Sequence, residues 1–537
     1  MGAAGAASDG YITSINPATG EVLGRVPDLG PVEVAAAIER AKLAQPAWAQ
    51  TPIAVRCRKV ARFADVLMAR AEEVIELLVN ESGKTRFEAL AMEVAVVADL
   101  VRYFAKHAPQ MLAPESIPLH LLKHRASYLH YVPRGVVGII APWNFPLAIP
   151  IGETMMALIA GNAVVLKPSE IAPLIAVKAA ELSREADLPA DLFQVVTGRA
   201  ATGAALIAGG PSAGDAGARH SIQLRTPLTG ALRTPAEPGL SINYCIFTGS
   251  VATGKKVAAA CSERLIPYTL ELGGKAPAVV CSDADLDRAA QAIAWGGFAH
   301  SGQVCASVER VYATVEIHDA LVAKLVEHAS QLRQGDGTSH NVDVGAMTWD
   351  RQLAHVERLV AAAISQGAEV AIGGRRKPGP GMFFEPTVIT NCRPEMEIMT
   401  TEIFGPVIPI MRVPDEEQAV RYANESHLGL LAYVFTRDRE RGKRLAERIA
   451  AGTVMVNDVL TTYACPETPW GGVKQSGIGR THSVLGLRDL CEIRHVNYDR
   501  LALRREAWWY PYKQATFQAA LRGARLLFGK HPWRRYR

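Results

Sequence analysis

The apolar tract from Gly135 to Leu166 sets the strongest limit on how this chain can fold. It is long enough to suggest a membrane helix, but Pro142, Pro146, Pro150, Glu153 and Asn162 interrupt it. No unbroken, uncharged helix of about twenty residues fits. What fits is a buried strand at Val136–Ala141, a turn made rigid by two prolines, a helix, and a second buried strand from Ala163. Strands that are apolar on both faces belong to sheets covered by helices, so the tract predicts an α/β core. With 537 residues, the chain exceeds one hydrophobic core and two or three domains are expected. A net charge of +5 is small for this length and argues against a nucleic-acid binder. Eight cysteines with no CxxC pair argue against a zinc site or a disulfide framework, and no metal is expected. They fit a reducing, cytoplasmic compartment, and the start MGAAGAASDG lacks the basic and apolar regions of a signal peptide. Ala6 also breaks the myristoylation pattern.

Ahead of the tract, residues from about 10 to 25 alternate as a hairpin would, around Asn16-Pro17 and Thr19-Gly20. Three helical patterns follow: one opens near Val32, one runs through Arg56–Leu78, and one follows Thr85. Gly83 supplies the stop after Ser82. Leu119 to Val132 reads as extended.

Candidate chemistry gathers where strands run into turns. Asn144, just past the first buried strand, can offer an amide donor to an oxyanion or simply cap the next helix. Lys167-Pro168-Ser169-Glu170 closes the second strand, at the edge where α/β sheets bind nucleotides. Phe247-Thr248-Gly249-Ser250 runs from a strand into a helix start, which presents backbone N–H groups to a pyrophosphate. No GxGxxG stands in the usual place. Glu271-Leu272-Gly273-Gly274 lies one small α/β unit before Ser301-Gly302-Gln303-Val304-Cys305. A thiol that attacks a carbonyl needs a base nearby, and a carboxylate can serve. A lone cysteine is more often a small buried hydrophobe, and a lone glutamate a surface charge. The pair, each in its glycine context, favours chemistry.

ELGGKAP followed by GQVCASVERVYA resembles the aldehyde dehydrogenase superfamily, as do PWNFP, FTGS and EIFGP, collinear over roughly residues 10 to 497. The resemblance implies a Rossmann-like cofactor domain (1–114 and 134–273), an α/β catalytic domain (274–482) and a small β oligomerisation arm (115–133 and 483–498). It implies Cys305 as nucleophile, Asn144 as oxyanion donor and Glu271 as the base that activates water. Lys167 and Glu170 then grip the adenosine ribose, Glu402 bonds the nicotinamide ribose and Phe404 flanks the ring. Trp143, Ser169, Gly249, Ser250 and Leu272 complete the expected cofactor contacts. A carboxylate at 170 favours NAD over NADP. A helix end or a cation is expected beside Cys305 to stabilise its thiolate. The base argues for hydrolysis rather than acyl transfer to coenzyme A, and a homodimer or homotetramer is the default assembly. Trp470 stands where phenylalanine is commoner.

Val304, Ala306, Thr461 and Tyr463 are expected to line an apolar or neutral tunnel, which favours medium or long aliphatic or aromatic aldehydes. A semialdehyde dehydrogenase needs a cation for the substrate's far carboxylate, and none is evident in Val459–Cys465 or beside Cys305. A non-catalytic scaffold of the same fold is the remote alternative. Two stretches depart from the pattern. Residues 211–242, with the repeat Leu224-Arg-Thr-Pro227 and Leu232-Arg-Thr-Pro235, read as a surface loop, either inert or touching a partner or the cofactor's adenosine end. The tail, 499–537, interleaves arginine and lysine with aromatic residues. It suits peripheral contact with an anionic membrane or packing on a neighbouring subunit.

Overall fold

The computed structural model describes residues 10–209, 241–502, 504–506 and 508–529. Most of the 211–242 insertion, including both LRTP repeats, and the end of the tail lie outside the described residues. The chain divides into two compact units, Met1–Leu112 with Val132–Glu492, and Ala113–Tyr131 with Ile493–Arg537.

The larger unit is built on two sheets. In the first, β1 (Val136–Ile140), β2 (Ala163–Lys167), β3 (Phe193–Val195), β4 (Tyr244–Gly249) and β5 (Tyr268–Leu272) are parallel. The second contains β6 (Ala276–Val280), β7 (Val308–Thr314), β8 (Glu369–Ile372), β9 (Thr387–Thr390), β10 (Val407–Val413), β11 (Leu431–Phe435) and β12 (Thr453–Val456). A short return strand, β13 (Gly477–Ile478), runs antiparallel to β5 and closes the first sheet's edge. The orders are β13-β5-β4-β1-β2-β3 and β8-β9-β10-β7-β6-β11-β12.

The sequence explains the layering. β2 and β6 are buried along their whole length, which both-sided helix cover requires. Strand order reverses about β1, with β2 and β3 on one side and β4 and β5 on the other. Ligands bind at the carboxyl ends of strands beside such a switch point. Asn144 follows β1, Lys167 ends β2, Gly249 ends β4 and Leu272 ends β5, so these residues all sit on that edge. The proline-punctuated tract forms β1, then the wholly buried helix α1 (Ala148–Ala160), which stops at left-handed Gly161, then β2.

Two elements differ from expectation. The pattern over Arg56–Leu78 is two helices, Ile53–Ala69 and Ala71–Ser82, which meet at the non-helical Arg70. Leu67 and Val74 are buried on either side of the break, seven positions apart, so the apolar period runs through it unchanged. Leu119–Val132 is extended only from Arg125, in the strand Arg125–Pro133.

The smaller unit holds strand residues of a three-stranded sheet formed by Cys491–Asp499, Arg125–Pro133 and Glu115–Ser116. Tyr128 and Tyr498 stack with ring centroids 6.0 Å apart. The tail helix α2 (Gln514–Phe528) buries no residue, and Phe517, Leu527 and Phe528 are all exposed. Among the described residues no helix is long and apolar enough to cross a membrane.

Candidate active site

A cavity of about 550 Å³ lies at the carboxyl ends of β1, β4 and β5. Its wall includes Trp143, Asn144, Gly249, Ser250, Glu271, Leu272, Cys305, Glu402 and Phe404. Glu271 is held on both sides by the sheet, opposite Thr248 of β4 and Gly477 of β13. Its side chain is 4 % exposed, and neither carboxylate oxygen has a hydrogen-bond partner among the described residues. Burial raises its pKa well above the usual carboxylate range, the charge of Glu153 adds to the shift, and the charge of Arg480 opposes it.

Cys305 ends a loop whose shape is locked. His300 and Ser301 take left-handed backbone angles, His300 N–H donates to Glu88 at 2.7 Å, and Ser301 Oγ donates to Gly345 O at 2.8 Å. Gly302 has φ +70°, and a Cβ there would stand 2.0 Å from Gly405 O, so only glycine fits. Gly274 has the same duty toward Cys305, since a Cβ on it would meet Cys305 O at 2.3 Å. The thiol is pushed up to about 12, first by burial and then by the charges of Glu402 and Glu271. The expectation of a stabilising cation or helix end beside it is therefore corrected. The cavity's described lining has no lysine or arginine, and only the Cys305 and Ala306 backbone groups favour the thiolate.

Asn144 is fixed through both of its polar ends. Its Nδ2 donates to Gln303 O at 2.9 Å, which leaves one amide hydrogen, and its backbone O accepts from Lys84 Nζ. Lys84 has no exposed side-chain surface and pairs with Glu93 at 3.0 Å. Glu93 in turn accepts the Leu147 and Ala148 N–H groups, at 2.9 and 2.7 Å, where α1 begins. This buried pair fastens the PWNFP turn, and sequence reasoning missed it. The available signal was a lysine directly after the Gly83 stop, with Thr85 and Glu88 forming a capping box behind it. Replacing Lys84 by methionine is expected to leave the buried Glu93 without its cation. The stability lost is about 3–5 kcal/mol, read from denaturant unfolding.

The cofactor candidates fall into two groups. Glu402 faces the cavity, accepts Gly274 N–H at 2.9 Å, and is raised to about 8 by burial and by Glu309. Glu309 also accepts the Ile403 and Phe404 N–H groups, both at 2.8 Å, which sets Phe404 edge-on to Trp143 with ring centroids 5.4 Å apart. Gly249 and Ser250 stand at the N-terminus of the helix Val251–Glu263, with Ser250 Oγ accepting Thr253 N–H at 3.3 Å. Lys167, Ser169 and Glu170 stay off the cavity wall, at and just beyond the end of β2. There Lys167 Nζ and Glu170 pair at 3.1 Å and Ser169 Oγ accepts Ile171 N–H at 3.2 Å. The buried Thr248 hydroxyl has no partner among the described residues and lines the cavity, so the crevice has polar capacity left for a nucleotide.

A parallel sheet with a nucleotide edge, and a thiol and a carboxylate lining one cavity beside its switch point, places the chain among α/β proteins of the nucleotide-binding class. The family model "Aldehyde dehydrogenase family" matches residues 5–212 and 240–496, and breaks inside the 211–242 insertion. The mitochondrial succinate-semialdehyde dehydrogenase of Arabidopsis thaliana is 37% identical over 90% of this chain and 85% of its own length. A putative succinate-semialdehyde dehydrogenase [NADP(+)] 2 of Mycobacterium bovis is 34% identical over 89% of this chain and 86% of its own. Among solved structures, an NAD-dependent aldehyde dehydrogenase from Sinorhizobium meliloti superposes with TM-score 0.84 at 33% identity, covering 94% of each chain. A Bacillus cereus aldehyde dehydrogenase in complex with NAD+ gives TM-score 0.82 at 31% identity, over 91% of this chain and 93% of that one. The chain belongs to the aldehyde dehydrogenase family.

Proposed function

We propose that the protein oxidises medium or long aliphatic or aromatic aldehydes to carboxylic acids with NAD. The cavity wall supports the substrate class. Phe87, Met92, Val96, Trp295, Leu460 and Tyr463 line it, together with Val304, Ala306 and Thr461, and its described lining offers no lysine or arginine. A carboxylate tail would lose its hydration there with no cation to replace it. A succinate-semialdehyde activity is the second reading, favoured by the names of the two relatives. Steady-state kinetics with hexanal, benzaldehyde and succinic semialdehyde decide between them, and the highest kcat/KM for the semialdehyde would overturn the first.

A thiol held near 12 is neutral at pH 7, so attack needs a base, and Glu271 is the carboxylate in the same cavity. Cys305 Sγ bonds the aldehyde carbon while the free Asn144 amide hydrogen and the Cys305 N–H receive the oxyanion. When bound, the nicotinamide supplies the hydride acceptor. Once the thiol proton has left it, Glu271 takes a proton from water, which attacks the thioester on Cys305, and the departing sulfur recovers that proton as the acid is freed.

Lys167 and Glu170 would hold the adenosine ribose, Glu402 the nicotinamide ribose and Phe404 the ring face. Trp143, Ser169 and Leu272 would border the cofactor, and the Gly249-Ser250 turn would face its pyrophosphate. Glu170 repels a 2′-phosphate, so Glu170→Ser is expected to raise kcat/KM with NADP roughly tenfold relative to NAD. Equal ratios in the two proteins would count against NAD preference by this residue.

The assembly proposed is a cytoplasmic homodimer or homotetramer joined through the strands Arg125–Pro133 and Cys491–Asp499. In α2, Phe517, Leu521, Ala524 and Phe528 share one face, with Arg522 and Arg525 beside it. This arrangement supports peripheral contact of the tail with an anionic bilayer.

A further inference from the structure

We propose that Glu153 carries the proton released at Glu271 out of the catalytic cavity, into a small cavity behind it walled in part by Arg480 and Asp489. The inference rests on the reading of Glu271 as the base. Glu271 is buried, and each turnover loads the thiol proton onto it, which must leave before Glu271 can activate water. Glu153 sits on α1, is 4 % exposed, and lines the catalytic cavity together with Glu271 and Cys305. It also lines a second cavity of about 10 Å³, whose polar wall residues are Tyr244, Thr269, Arg480, Thr481 and Asp489, set among apolar ones such as Met156 and Leu490. That volume is about one water molecule, and the walls offer it several polar partners. Glu153 and Thr481 are the two side chains common to both cavities. Arg480 and Asp489 are partly exposed, so the second cavity leads toward solvent.

Oε2 of Glu153 is buried and has no hydrogen-bond partner among the described residues. A carboxyl left unpaired in the core needs a reason beyond packing, because its desolvation is uncompensated. Burial raises its pKa to about 8, in the same direction as Glu271. The groups that face it are Glu271 and Tyr463 on the catalytic side, and Tyr244, Cys245, Arg480 and Asp489 on the other. In the transfer, one Glu153 oxygen accepts the Glu271 proton as the other releases its own to water in the second cavity. Glu271 returns to carboxylate, Glu153 stays a neutral acid, and one proton leaves by the Arg480–Asp489 side.

The test is Glu153→Gln, which keeps shape and removes the exchangeable acid. First-turnover NADH formation is expected to stay within about twofold of the parent, while steady-state kcat falls roughly ten- to a hundredfold, less than loss of a general base. The kcat–pH profile should lose the inflection of the Glu153–Glu271 pair, and Glu153→Asp should restore part of it. A second readout needs no turnover. A raised carboxyl lowers stability as pH climbs from 4.5 toward about 8, so the thermal midpoint of Glu153→Gln should fall less over that window than the parent's. Unchanged kcat and pH profile would overturn the proposal. So would equal losses in first turnover and kcat, which mark a structural role. Should Glu153→Gln not fold, Asp489→Asn at the outer wall is expected to lower kcat with first turnover intact, and an unaltered kcat overturns the route. A first turnover in the parent that Cys305→Ala abolishes establishes the underlying chemistry independently of Glu153.

Discussion

Cys305→Ala is expected to eliminate aldehyde-dependent NADH formation, a loss on the order of 10⁴–10⁶-fold in kcat, since no other group replaces a covalent nucleophile. Among the described residues the other cavity-lining side chains include no second cysteine. The substitution should leave the fold intact, because the Cys305 side chain reaches into the cavity and the loop is held by Glu88, Gly345 and Gln303 through other atoms. Unfolding midpoints within error of the parent's check this. The pH dependence follows from the raised thiol. The neutral form dominates at neutral pH, so kcat/KM of the parent should climb as pH rises and thiolate becomes easier to form. Residual activity near the parental level would remove Cys305 from the mechanism.

Glu271→Gln is expected to lower steady-state kcat about 10²–10⁴-fold and to leave an acyl group on Cys305. Raising the pH should recover the first turnover, as hydroxide takes the thiol proton, more than it recovers deacylation. Mass spectrometry of the quenched protein should show the thioester, and a bare thiol throughout would exclude Glu271 from hydrolysis. Stability should move the other way. Both Glu271 oxygens are buried without partners, and a raised acid destabilises the fold as pH increases through its titration. The amide removes that ionisation, so the variant should be at least as stable as the parent at pH 8. A destabilised base is the usual trade of stability for activity.

Much of the architecture was legible because local chemistry and global fold agree. The prolines within Gly135–Leu166 forbade a single helix, and β1, α1 and β2 are what they permit. Gly302 and Gly274 could be suspected of close approaches, and both meet backbone carbonyls. The Arg70 break was illegible because the buried stripe keeps its phase across it. The Lys84–Glu93 pair was illegible for another reason: each residue alone reads as a surface charge, and only packing shows both buried.

The sequence by itself determined the α/β class, the order of the strand-to-turn motifs and the residue types that chemistry requires. Those depend on short-range periodicity, proline and glycine constraints, and side-chain reactivity, which travel with the chain. Only the tertiary structure decided the electrostatics. It placed Cys305, Glu271, Glu153 and Glu402 around one cavity with no lysine or arginine in its described lining, so burial, with like charge added at Cys305, Glu271 and Glu402, raises the pKa of the thiol and of the carboxyls. A pKa depends on distance to other charges and on exclusion of water, and residues hundreds of positions apart set both.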